Sequence, residues 1–119
     1  MDQKEKIDAA IEAHIQWYAH LRMAVTLASS GFKPEVVRTD NNCEFGKWLY
    51  GNFPTQGNLL PLYQEIKELH ARFHIEAGKI LELALQKKRE EALTLMDFNS
   101  EFKKISTALI EKMNHVKKL

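Results

Sequence analysis

The stretch PLYQEIKELHARFHIEAGKILELALQ, from Pro61 to Gln86, decides the reading of the fold. Tyr63, Ile66, His70, Phe73, Ala77, Ile80 and Ala84 recur at intervals of three and four. That spacing draws one apolar stripe along an α-helix. Pro61 can stand in a helix's first turn, where its missing N–H costs nothing. The stripe has one irregularity: His70 holds a core position, and His74 lies one turn further along. Residues i and i+4 of a helix face the same way, with Cβ atoms about 6 Å apart. Two imidazoles so placed can converge on a single cation at Zn–N distances of ~2.0–2.1 Å. By geometry "HARFH" is a two-ligand clamp, if it points inward.

On the N-terminal side, Ile7, Ile11, His14, Tyr18, Leu21 and Val25 form another stripe. It predicts a first helix from about Gln3 to Ala28, with Gly31 as a stop signal. His14 again occupies a core position. Residues 29–42 read as a connection. All three prolines (Pro34, Pro54, Pro61) lie in the middle of the chain, with four of the five glycines. Within that region Asn41 and Glu44 have the spacing of a capping box. A short helix is expected to begin near Cys43, carry Phe45, Trp48 and Leu49, and end at Gly51. On the C-terminal side, a polar turn "QKKREE" precedes a last helix with the stripe Leu95, Phe98, Phe102, Ile105, Leu109, Met113 and Val116. The expected fold is all-α: an up-down helical bundle with an additional short helix carrying the cysteine. The aromatic and Met positions on the stripes are core residues.

Composition bounds the function. The 119 residues suit a single domain, 1–119, and 45% apolar content can bury a core. Net charge is +1, with no run of one sign, which argues against a nucleic-acid or anionic-membrane partner. The charged N-terminus is no secretory signal, and no stretch approaches the ~18 apolar residues of a membrane span. Cys43 is the one cysteine, so there is no internal disulfide framework. A reduced, cytoplasmic thiol is the expectation.

Cys43 has three readings: an apolar filler, a reactive thiol or a metal ligand. A lone buried cysteine is ordinarily a filler, and a lone core histidine is ordinarily hydrogen-bonded. Together, three seam histidines (His14, His70, His74) and one cysteine make a complete tetrahedral donor set for Zn²⁺. Burying three imidazoles without partners costs a few kcal/mol, and a shared metal satisfies them all. At the start of a short helix, backbone N–H groups and the helix dipole favour a thiolate at Cys43. His20 falls off the seam, about 240° around the helix from His14. His115 lies in a last turn among lysines; neither is read as a ligand. The segment around Cys43 is the part expected to move.

These residues resemble a known family. "HIQW" (His14, Trp17), "CEFGKWL" (Cys43, Phe45, Gly46, Trp48, Leu49) and "HARFH" (His70, His74) occur in the order found in the chemoreceptor zinc-binding domain, CZB. The middle motif is the specific one. The resemblance implies a four-helix bundle, commonly homodimeric, with zinc held by three histidines and a cysteine. It further implies a regulatory input module of a bacterial cytoplasmic protein, coupled to chemotaxis or cyclic-di-GMP signalling through a downstream domain or protein partner. An N-terminal cyclase-type input domain or a stand-alone domain is the expected setting. Gly46 and Trp48 belong to the fingerprint through close approach and packing.

The leading expectation is therefore a zinc-binding sensory domain without enzymatic activity. Alternatives are an oxidant sensor using Cys43 at the same site, and a metal-free dimerisation module. A zinc hydrolase is disfavoured, because four donors close the shell and the HxxxH motif contains no glutamate. A di-iron carrier would need carboxylates on the seam, and the stripes have none. Chelation separates the first reading from the metal-free one. At free zinc of ~100 times Kd, a zinc site should contribute about 3 kcal/mol to stability, lost on adding chelator and read as a lower melting temperature. An unchanged melt would identify a metal-free module.

Overall fold

A computed structural model describes residues 3–40, 43–51 and 59–118. It contains α1 (Gln3–Leu27), α2 (Pro34–Val37), α3 (Glu44–Gly51), α4 (Leu59–Leu85), α5 (Arg89–Leu95) and α6 (Glu101–Lys118). Long helices α1, α4 and α6 form the frame of an all-α bundle, and α5 packs on α4 and α1. α3 lies against α1, and the single turn α2 lies against α4. Among the described residues no helix is long and apolar enough to cross a membrane.

The stripes meet in one core. Ile7, Leu21 and Val25 enter from α1, and Ile66, Phe73, Ala77, Ile80 and Ala84 from α4. Phe102, Ile105, Leu109, Met113 and Val116 enter from α6. Ile11 and Tyr18 of the first stripe are only half-buried; Ala10 and Ala24 take the buried places beside them. Tyr63 sits at the margin, where its hydroxyl donates to the Leu49 carbonyl at 3.0 Å. It thereby pins α3 to the start of α4.

Local chemistry sets two boundaries. α1 stops at Leu27 because Ala28 takes a left-handed conformation (φ 53°), three residues before the glycine expected to do so. α4 ends at Leu85 and is closed by Lys87 (φ 63°), with Lys88 N–H donating to the Leu83 carbonyl at 2.9 Å and Lys87 N–H to that of Ala84 at 3.1 Å. That pair of bonds is a Schellman closure, here with a lysine in the position glycine prefers.

The last helix is not continuous. The stripe from Leu95 to Val116 breaks after α5, and Phe98 is 83% exposed rather than in the core. Competing hydrogen bonds explain the break. Ser100 Oγ accepts from Lys103 N–H at 3.2 Å and caps α6, while Asp97 Oδ1 takes the Phe98 N–H at 2.7 Å. Short polar side chains offer the backbone an alternative to helix, and here three of them crowd the joint at Asp97, Asn99 and Ser100. The expected capping pair of Asn41 with Glu44 lies outside the described residues, apart from Glu44's backbone in α3.

The two phenylalanine and leucine positions therefore separate in stability. Leu109→Ala, in the fully buried stripe, should cost about 2–5 kcal/mol. Phe98→Ser should stay within about 0.5 kcal/mol of wild type. Urea midpoints of the two variants check this.

Candidate metal centre

The seam histidines arrive as the stripes require. His14 from α1 and His70 and His74 from α4 are all buried, at 3%, 0% and 3% exposure. Their rings pack edge-on: His70 and His74 centroids are 4.5 Å apart, and His14 and His70 are 5.0 Å apart. Phe45 and Phe73 wall the cluster, Phe45 5.1 Å from His70 and Phe73 5.0 Å from His14.

Cys43 closes the fourth side from the start of α3. It is the N-cap of that helix: its carbonyl accepts Lys47 N–H at 3.0 Å and its sulfur accepts Gly46 N–H at 3.3 Å. This assigns Gly46 of the fingerprint a physical role as donor to the sulfur. Trp48 and Leu49 are buried beneath α3 and hold it to the bundle. Trp17 is half-buried on α1 and stacks on Phe32, 4.8 Å between centroids. His20 is exposed beside both rings, and His115 is exposed in the last turn of α6, away from the cluster.

The donor atoms of His14, Cys43, His70 and His74 all lie within 4.8 Å of one another. Cys43 Sγ is 3.3 Å from His70 Nε2 and 3.6 Å from His74 Nε2, and the two Nε2 atoms are 3.1 Å apart. Zn–N bonds of ~2.05 Å and a Zn–S bond of ~2.3 Å define tetrahedral edges of ~3.3 Å between nitrogens and ~3.6 Å between sulfur and nitrogen. The three measured edges match those values within a few tenths of an ångström. His14 stands furthest back.

Hydrogen bonding behind the rings selects the donor nitrogen. His14 Nδ1–H donates to the Ala10 carbonyl at 2.6 Å, leaving Nε2 buried with no partner. His74 Nδ1–H donates to the Val37 carbonyl of α2 at 2.9 Å, so its Nε2 carries the lone pair that faces Cys43. This is how metal-ligating histidines are usually oriented, by a backbone acceptor behind the ring. His70 has no such anchor: its Nδ1 is the second buried polar atom without a partner. Orphaned buried nitrogens are rare because each costs the desolvation of a polar group. The orphaned His14 Nε2, in a cluster of four metal-type donors, fits a cation.

Burial sets the protonation states. It pushes His14 down to about 4 and His70 to about 2, and it also lowers His74. At neutral pH all three are therefore neutral and able to donate a lone pair. Burial also raises the Cys43 thiol above its usual 9.0. The cap bonds from Gly46 and Phe45 N–H pull the other way but lose, and the Asp40 carboxylate adds to the rise. The helix start does act in the expected direction, favouring the thiolate, but burial outweighs it. Desolvation wins over the cap, and Cys43 stays protonated until a cation replaces its proton.

The fold and this cluster define a class: a helical bundle with an interior three-histidine, one-cysteine centre suited to zinc. Residues 14–81, more than half of the chain, match the chemoreceptor zinc-binding domain, and the chain belongs to that family. Zinc is the family's cofactor, and the four converging residues form the candidate site for it. A curated relative is the diguanylate cyclase DgcZ of Escherichia coli (strain K12), 32% identical over 83 residues. The match covers 66% of this chain and 27% of the relative, so the chain spans about a quarter of that protein's length. No solved structure matches.

Two outcomes follow from these protonation states. Zinc binding at pH 7 should release about one proton, from Cys43 alone; calorimetry in buffers of different ionisation enthalpy measures it, and two or more would contradict neutral histidines. In the metal-free protein the histidine pKa values lie below the unfolded value of 6.5, so the unfolded chain binds more protons. Stability is then complete above about pH 6.5 and falls as pH drops through that value toward about 4. The slope is at most ~1.4 kcal/mol per histidine per pH unit. Urea midpoints between pH 8 and 5 should show it.

Proposed function

We propose that this domain is a zinc-binding regulatory input module, in which occupancy of a site made by His14, Cys43, His70 and His74 sets the position of α3 and is read by a signalling domain or partner. The observation that carries this reading is the convergence of three buried histidines and the half-buried Cys43 within 4.8 Å of one another, with the three edges among Cys43, His70 and His74 fitting one tetrahedral ion. When bound, zinc would supply a Lewis-acidic centre that takes the place of the Cys43 proton and gives the orphaned His14 Nε2 a partner. The residues do the rest. His70 and His74 are fixed in the middle of α4, and His14 is fixed in α1. Cys43 sits on the shortest lever, at the tip of an eight-residue helix. Its release frees α3 from the frame, a two-state element of the kind that transmits signals.

The role is regulatory rather than catalytic. Four protein donors leave no open position for water, which a catalytic zinc site keeps. The likeness to a diguanylate cyclase supports cyclic-di-GMP signalling as one output such a domain could serve, with chemotaxis the other candidate. A bacterial cytoplasmic setting and a homodimer belong to the same proposal. Ile15, Met23 and Leu27, exposed along α1, supply apolar surface for a second copy.

A second reading uses the same site for oxidant sensing. Cys43 is half-buried and lines a cavity of about 590 Å³ between α1 and α3, so a small oxidant can reach it. The thiolate would attack a hydroperoxide oxygen; the O–O bond breaks, water or an alcohol leaves after protonation, and the sulfur becomes a sulfenate. That product is a poor ligand and would leave the centre.

Metal analysis of purified protein is expected to give one zinc per chain, lost on chelation. The Cys43→Ala, His70→Ala double variant should bind none tightly; undiminished binding would reject the assignment. For the second reading, zinc release and Cys43 mass are followed together during peroxide addition. Full zinc loss with unmodified Cys43 would reject it.

A further inference from the structure

A glycine in the middle of a long helix needs a reason, because it destabilises the helix relative to alanine. Gly78 lies inside α4, one turn after His74, and is buried. A Cβ at this position would fall inside van der Waals contact of Arg38 Cγ, and within 3.3 Å of the Arg38 nitrogen and the Pro34 carbonyl oxygen. The missing side chain is therefore the space into which α2 and Arg38 settle. The same turn presents the Val37 carbonyl to His74 Nδ1 at 2.9 Å. Arg38 also reaches Glu82, a further turn along α4, and pairs with its carboxylate. α2 thus sits on α4 through two contacts that flank one purpose: Gly78 lets it approach, and Glu82 holds its far end.

From this arrangement we infer that Gly78 is a positioning residue for the metal centre. By admitting α2 it sets the Val37 carbonyl against His74, fixing that ring as the Nδ1–H tautomer with Nε2 turned to Cys43. The inference rests on the zinc reading for its effect on affinity, but not for its effect on His74. Of the two α4 histidines, His74 alone has an acceptor behind the ring; His70 Nδ1 has none. Moving α2 would leave both α4 rings unanchored. Backbone acceptors of this kind typically change metal affinity 10–100-fold when lost.

The test compares wild type, Gly78→Ala, Arg38→Ala and the double variant. Zinc affinity is measured by chelator competition, and ring tautomers by ¹⁵N NMR of the zinc-free proteins. Gly78→Ala should weaken zinc binding ~10–100-fold and abolish the single Nδ1–H tautomer of His74, although alanine favours the helix. In the double variant Arg38 Cγ is gone and only the 3.3 Å contacts remain, relieved by shifts of a few tenths of an ångström. Its affinity and tautomer should return to those of Arg38→Ala alone, a coupling read as a double-mutant cycle. Equal affinity and tautomer in wild type and Gly78→Ala would overturn the inference. So would a loss in Gly78→Ala that the second substitution leaves untouched. If wild type binds no zinc, the zinc reading fails, and the His74 tautomer still decides this one.

Discussion

The structure depends on one constraint: three imidazoles are buried together, beside a half-buried thiol, in an apolar bundle. Desolvation favours the neutral form of all four, lowering the three histidines and raising the thiol. Two of the nitrogens then have no hydrogen-bond partner at all. An apolar core would reject such a cluster, since leucine or phenylalanine at the same positions would pack without that cost. The cluster suits a cation that binds neutral histidines and displaces a thiol proton. Burial therefore does two things at once: it penalises the empty arrangement and prepares the donors for a metal.

The supporting elements divide into rigid and yielding parts. α1 and α4 are long and deeply packed, so His14, His70 and His74 are held by the same contacts that hold the bundle. α3 is eight residues long and is attached through Trp48, Leu49 and the Tyr63 hydroxyl. Cys43 caps this short helix with its own sulfur, so the ligand and the helix start are one feature. A change at the sulfur acts directly on the helix it caps. The single turn α2 belongs with the rigid side, since it braces His74 from behind and is seated in the gap that Gly78 leaves.

Much of this was legible in the sequence. The periods of three and four in Tyr63–Ala84 and Ile7–Val25 placed the long helices and put His14 and His70 in the core, because helix periodicity reports burial directly. The i, i+4 spacing of His70 and His74 fixed their convergence for the same reason. The order of the three motifs identified the family. Periodicity failed at Phe98, where the apolar spacing continued but Asp97 and Ser100 took the backbone out of the helix. It also misjudged the sulfur: a helix start favours a thiolate, but the sequence does not show how deeply that start is buried.

Sequence alone determined the fold class, the four candidate donors and the segment that carries the cysteine, since these depend on residue type and short-range spacing. Tertiary structure decided which nitrogen of each ring faces inward, that burial raises the Cys43 thiol against its cap bonds, and that α2 stands behind His74. Each of these depends on groups far apart in the chain: Val37 with His74, Arg38 with Gly78 and Glu82, Phe45 with His70. Local pattern cannot encode them, because a hydrogen-bond acceptor supplied by a backbone carbonyl has no residue type, and desolvation is a property of everything packed around a group.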